Sequence, residues 1–207
     1  MENYHLSEAF KLISLNSNCN IFSDLSIGDK KLIRKRIINM VLATDMIMHN
    51  EEQKLLDKKL GIIESTPNLD PKKSMLANYI DKINLEELIN LQGEFLNTLI
   101  HSADISNPTK PLNLYNKWTT LVINEFWKQG DIEKEMNLTV SRYCDRNIDS
   151  VPQIQIGFIK GVVFPMFNTI VKFFPNLEFT KTNLNKNMIY NENLKEKEDR
   201  EKEKFRK

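Results

Sequence analysis

The sequence predicts an all-α protein. Only 6 glycines occur in 207 residues, Leu, Ile, Met, Lys and Glu are abundant, and apolar residues recur at spacings of three and four with little strict alternation. No segment offers a good strand.

A first helix is expected over 6–15. A second opens at Gly28 or Asp29 and carries Leu32, Ile33, Ile37, Val41 and Met48 at helical spacing. Ser65-Thr66-Pro67-Asn68 reads as a loop, 76–80 as a short apolar segment, and 85–102 as a long helix with Leu88, Leu91, Phe95 and Leu99 on its buried side. Pro108 and Pro111 lack amide protons and bias the residues before them away from the helical region, so this helix should end near Ser106, with Asp104 in its last turn. A helix over 112–128 follows, repeating Trp118, Val122 and Phe126, with Gly130 as its expected stop. Another runs over 151–171, bent at Pro165. From 193 to 207 the chain is almost wholly charged, with Leu194 and Phe205 as isolated apolar residues, and reads as a solvated helical extension or disorder. The expected organisation is a body over 1–180 and a charged tail over 181–207.

With 29 basic and 28 acidic residues, the chain has no basic excess to suit a nucleic-acid binder. Cys19 and Cys144 are too few for a disulfide scaffold or a cysteine-based zinc site, which points to a reducing compartment. The apolar stretch 157–174 is broken by Lys160, Pro165 and Lys172 and reads as buried helix. No basic-then-apolar leader opens the chain. The expectation is a cytoplasmic protein, or one on the cytosolic face of a membrane if upstream sequence anchors it, with no membrane contact of its own.

The segment His101-Ser102-Ala103-Asp104-Ile105-Ser106-Asn107-Pro108-Thr109-Lys110-Pro111 carries the most chemistry. A carboxylate near a helix C-terminus is repelled by the carbonyl end unless a cation offsets the field. An Asp there commonly caps a turn or faces water; a bound metal is the other remedy. This segment, continued by Leu114-Tyr115 and Trp118, resembles the metal-binding segment of class I 3′,5′-cyclic nucleotide phosphodiesterase catalytic domains. Three more blocks appear in the family's order. Glu2-Asn3-Tyr4-His5 is similar to its Glu-Asn-His-His, Ala43-Thr44-Asp45-Met46 with His49 to its Ala-Thr-Asp helix, and Gln155-Ile156-Gly157-Phe158-Ile159 to its Gln-Val-Gly-Phe-Ile.

The resemblance implies an all-helical catalytic domain lacking its N-terminal helices. It also implies hydrolysis of cAMP or cGMP to a 5′-nucleoside monophosphate by two divalent ions, zinc plus magnesium or manganese, bridged by a hydroxide whose pKa they lower, with a histidine acid protonating the leaving 3′-oxygen. Carried over residue by residue, Asp104 matches a metal ligand and Glu2 a carboxylate near the bridging hydroxide, while His5, Asp45 and His101 match supporting positions. Gln155 and Phe158, three apart on one helix face, match the purine pocket. The glutamine amide offers a donor and an acceptor to a purine edge, Phe158 stacks on the ring, and Val122 forms an apolar wall opposite. Asn107 and Tyr115 match pocket-side positions, although the turn and its packing would use the same residue types.

The family's His-Asn-x-x-His and His-Asp motifs precede the block at which this chain starts. Its three histidines are His5, His49 and His101, and none precedes aspartate. His49-Asn50 is half of the donor motif, but Gln53 stands where its second histidine belongs. Asp104 alone cannot hold a catalytic zinc, which needs about three protein ligands. The expectation is therefore a phosphodiesterase portion that retains the nucleotide pocket and does not turn over by itself, with exposed apolar surface promoting self-association. A non-catalytic helical nucleotide-binding or protein-interaction module is the alternative.

Overall fold

The computed structural model describes residues 1–67 and 70–206, and among them there is no strand. The chain folds as two compact units, Met1–Asp104 and Ile105–Lys207.

The first unit contains α1 (Glu2–Leu15), α2 (Ile27–Leu42), α3 (His49–Glu64), α4 (Met75–Ile80) and α5 (Leu85–Asp104). α2 packs on α1 and α5, and α3 on α4. Buried in this unit are Leu6, Ala43, Leu56, Leu60, Ile63 and Leu91, together with two imidazoles, His49 and His101. Helix starts are set by caps: the Ser26 hydroxyl accepts from the Asp29 amide at 3.1 Å, and Asn84 and Glu87 exchange side-chain-to-backbone bonds reciprocally at the start of α5.

Met48 does not share the second helix. α2 stops at Leu42, because Thr44 Oγ1 donates back to the Val41 carbonyl and Asp45 accepts from the Ile47 amide, capping a separate short turn, Met46–Met48. The stripe expected on α5 is also rotated. Leu91 is buried but Leu99 is exposed, and Thr98, His101 and Ser102 take the buried face near the C-terminus. In the expected loop, Ser65, Thr66 and Pro67 lie outside the helices, and Asn68 is outside the described residues.

The second unit opens with a short 3-10 turn, Asn107–Thr109, in which Pro108 is fully buried. It continues with α6 (Leu112–Glu135), α7 (Val151–Phe158), a π turn (Ile159–Val163), α8 (Phe164–Phe173) and α9 (Glu178–Arg206). Pro165 has no proton for the preceding turn, and the helix widens into the π turn just before it. The run Val151–Phe173 is long and apolar enough to cross a membrane by length and composition. Ile159, Val163, Met166, Phe167 and Ile170 from that run are buried in the core of this unit.

Gly130 does not end α6. It is a helical residue at a close approach, where a Cβ would lie 1.9 Å from the Cys144 carbonyl oxygen. The helix ends at Glu135 instead, and Asn137 just beyond it turns the chain with φ 56°. The Leu138 amide reaches the Glu133 carbonyl and the Asn137 amide the Lys134 carbonyl, a Schellman closure with asparagine in glycine's usual place.

The largest departure from expectation is α9. The boundary expected between 180 and 181 falls inside it, and Leu184, Asn187 and Asn191 are buried. α9 packs on α7, α8, α6 and the Asn107–Thr109 turn. Its charged continuation from 193 is also helical, while the Phe205 side chain lies outside what is described.

Candidate nucleotide site

Asp104, His101, Asp45, His5 and Glu2 belong to the first unit. Asn107, Tyr115, Val122, Gln155 and Phe158 belong to the second.

In the first unit Asp104 is the exposed last residue of α5. Glu2 pairs with the terminal ammonium at 3.1 Å, and its own backbone amide, then that ammonium, hold its carboxyl below the usual range. His5 is exposed. Asp45 is engaged as the cap described above. His101 is fully buried, with Nε2 2.9 Å from His49 Nδ1. Burial holds both imidazoles below their ordinary pKa, with the partner ring adding to the effect at His49 and Asp104 opposing it at His101. Among the described residues no group of three or more His, Cys, Asp or Glu is placed to hold a metal ion. Asp104 is a single carboxylate, so the residues present do not fit a catalytic ion.

The second unit brings its residues together through α9. Three asparagines spaced four apart on this helix, Asn183, Asn187 and Asn191, face the Asn107–Thr109 turn and α6. Asn183 Nδ2 donates to the Thr109 carbonyl at 2.9 Å, and Asn187 Nδ2 donates to those of Pro108 and Lys110 at 2.8 and 2.9 Å. Asn191 Nδ2 donates to Tyr115 Oη at 2.8 Å. The proline-rich turn cannot satisfy these carbonyls locally, so a neighbouring helix does.

Tyr115 Oη in turn donates to Gln155 Oε1 at 3.0 Å. All three members of this relay are buried: Asn191 at 3%, Tyr115 at 0% and Gln155 at 4% exposure. Burial pushes the Tyr115 phenol up, opposed by donors from Asn191 and Thr119. Asn107 Nδ2 donates to Thr119 Oγ1 at 3.2 Å, and its Oδ1 is buried without a hydrogen-bond partner among the described residues.

Gln155 and Phe158 both lie on α7, where Phe158 is half-buried. On α6 the buried face is Tyr115, Thr119 and Ile123, while Trp118 and Val122 are exposed. The relay fixes the Gln155 side-chain oxygen, and Phe158 stands about one turn further along the same helix. The role of α9 was missed in the sequence because the helix is polar. The spacing of Asn183, Asn187 and Asn191 was the signal that could have found it.

Residues 1–184 match the family model described as 3′5′-cyclic nucleotide phosphodiesterase. The chain is 39% identical over 169 residues to 3′,5′-cyclic-AMP phosphodiesterase 4C of Rattus norvegicus, covering 82% of this chain and 29% of that protein. It is 38% identical to the probable 3′,5′-cyclic-AMP phosphodiesterase pde-4 of Caenorhabditis elegans, covering 82% and 23%. The solved phosphodiesterase domain of Salpingoeca rosetta rhodopsin phosphodiesterase superposes with a TM-score of 0.82 at 27% identity, covering 99% of this chain and 57% of that one. The chain thus spans less than a third of these curated relatives and a little over half of the solved domain. It belongs to the 3′,5′-cyclic nucleotide phosphodiesterase family.

Proposed function

We propose that this chain supplies the purine-binding portion of a catalytic domain that hydrolyses 3′,5′-cyclic nucleotides to 5′-monophosphates, with cAMP as the substrate. The carrying observation is the buried relay from Asn191 through Tyr115 to Gln155, which holds a donor-acceptor amide still for a purine edge. Two relatives whose names specify cyclic AMP support the choice of nucleotide. Within this reading Gln155 recognises the base and Phe158 stacks on it, with Val122 opposite. Asn107 and Tyr115 hold the pocket's polar side. Zinc plus magnesium or manganese would complete the domain with ligands beyond Asp104. The chain acts in the cytoplasm, where Cys19 and Cys144 stay as free thiols.

For these residues alone, the isolation of Asp104 from further ligands favours nucleotide binding without hydrolysis. Incubation with cAMP, zinc and magnesium tests this. No 5′-AMP is expected, whereas turnover abolished by Asp104→Ala would contradict it.

A further inference from the structure

We propose that the hollow between α2 and α5 binds a phosphate monoester, held by the Arg36 guanidinium that Gly93 admits. The site lies wholly within the first unit and is independent of the nucleotide reading above. Gly93 stands in the interior of α5, where glycine weakens a helix because it has the most backbone freedom to lose. Its φ is not positive, so no turn calls for it. Space does: a Cβ there would run into Arg36 Nη1. The guanidinium lies over the turn that joins Ile89 to Gly93, and its Nη2 donates to the Ile89 carbonyl at 2.9 Å, taking the lone pair that the helix leaves free.

That bond fixes the guanidinium and uses one of its N–H groups. The others have no acceptor among the described residues, and neither Arg36 nor its neighbour Lys35 enters an ion pair there. Both cations line a hollow of about 390 Å³ together with Asn39, Asn90 and Asn97, whose side-chain amides make no hydrogen bond among the described residues. Glu94 also lines it, but its carboxylate is drawn to Lys59 of α3 at 3.0 Å. The hollow thus offers a preset fork, a point charge and neutral amides, all able to donate and none countered by a carboxylate of its own. A planar carboxylate would use two of these directions, whereas a phosphoryl group presents three oxygens and nearly two charges to them. The volume is that of a small-molecule site, with room for the carbon skeleton that bears the phosphate.

The test is titration of the 15N-labelled chain with ribose 5-phosphate, and in parallel with inorganic phosphate, at ionic strength held constant with sodium chloride. The Arg36 Nε–H signal and the side-chain amides of Asn39, Asn90 and Asn97 are followed. Saturable shifts at these groups are expected with both probes, tighter with the sugar phosphate; equal affinity would overturn the monoester in favour of the free anion. Arg36→Gln should weaken binding at least about tenfold, as expected for losing a charge-assisted pair. Gly93→Ala should do the same by displacing the guanidinium, while keeping its helical circular dichroism. Shifts that do not saturate, the same shifts with chloride alone, or parent-like binding by either variant would overturn the proposal. If Arg36→Gln loses its helical signal, Gly93→Ala decides, since alanine favours α5 and moves only the flexible end of Arg36.

Discussion

His49 Nδ1 lies 2.9 Å from His101 Nε2, and both rings are buried in the first unit. One neutral ring must donate and the other accept; two imidazolium rings would present only donors. Burial lowers both pKa values below the ordinary 6.5. The pair's contribution to stability is therefore full above pH 6.5 and is lost as pH falls from there through the folded values. Urea unfolding across this range should show stability declining with acid, by at most about 1.4 kcal/mol per pH unit for each proton taken up. His49→Gln should reduce that slope. A flat profile from pH 7 to pH 5, with the intact pair, would contradict the account.

Gly130 is fixed by the Cys144 carbonyl, 1.9 Å from where a Cβ would stand. Gly130→Ala should destabilise the chain by about 1–3 kcal/mol despite alanine's better helix propensity. Thermal unfolding checks this, and an unchanged or raised midpoint would show that the approach relaxes freely.

Asn187→Ala should cost about 2–3 kcal/mol, because it strands the Pro108 and Lys110 carbonyls that its amino group serves. Asn185→Ala, on the same helix without those bonds, is the control. Equal effects from the two substitutions would remove the clamp from the account.

Leu12, Leu15, Ile27 and Leu32 of the first unit are all more than half exposed. Sedimentation velocity should show concentration-dependent association of the isolated chain, weakened by Leu15→Lys together with Ile27→Lys. A single monomeric boundary at every concentration would count against it.

What the sequence disclosed, and what it did not, follows from the range of the forces. The apolar period of α5 and the proline pair after it are local, so the end of that helix at Asp104 was readable within two residues. The break after Leu42 was hidden because Thr44 and Asp45 are both compatible with helix until their side chains bond the backbone. Gly130 looked like a stop because nothing local reveals the Cys144 carbonyl beside it. Gln155 and Tyr115 were singled out through their resemblance to family motifs. Their hydrogen bond, and Asn191 behind it, span 40 and 76 positions and appear only when α7 and α9 are folded against α6. The polar composition of α9 concealed its packing, since asparagines bury usefully only where carbonyls await them.

The most direct measurement of the central claim is calorimetric titration of the chain and of Gln155→Ala with cAMP. The account predicts saturable binding to the parent, weakened at least about tenfold by the substitution, as expected for losing a bidentate base contact. Absence of saturable binding, or equal binding by both proteins, would contradict it.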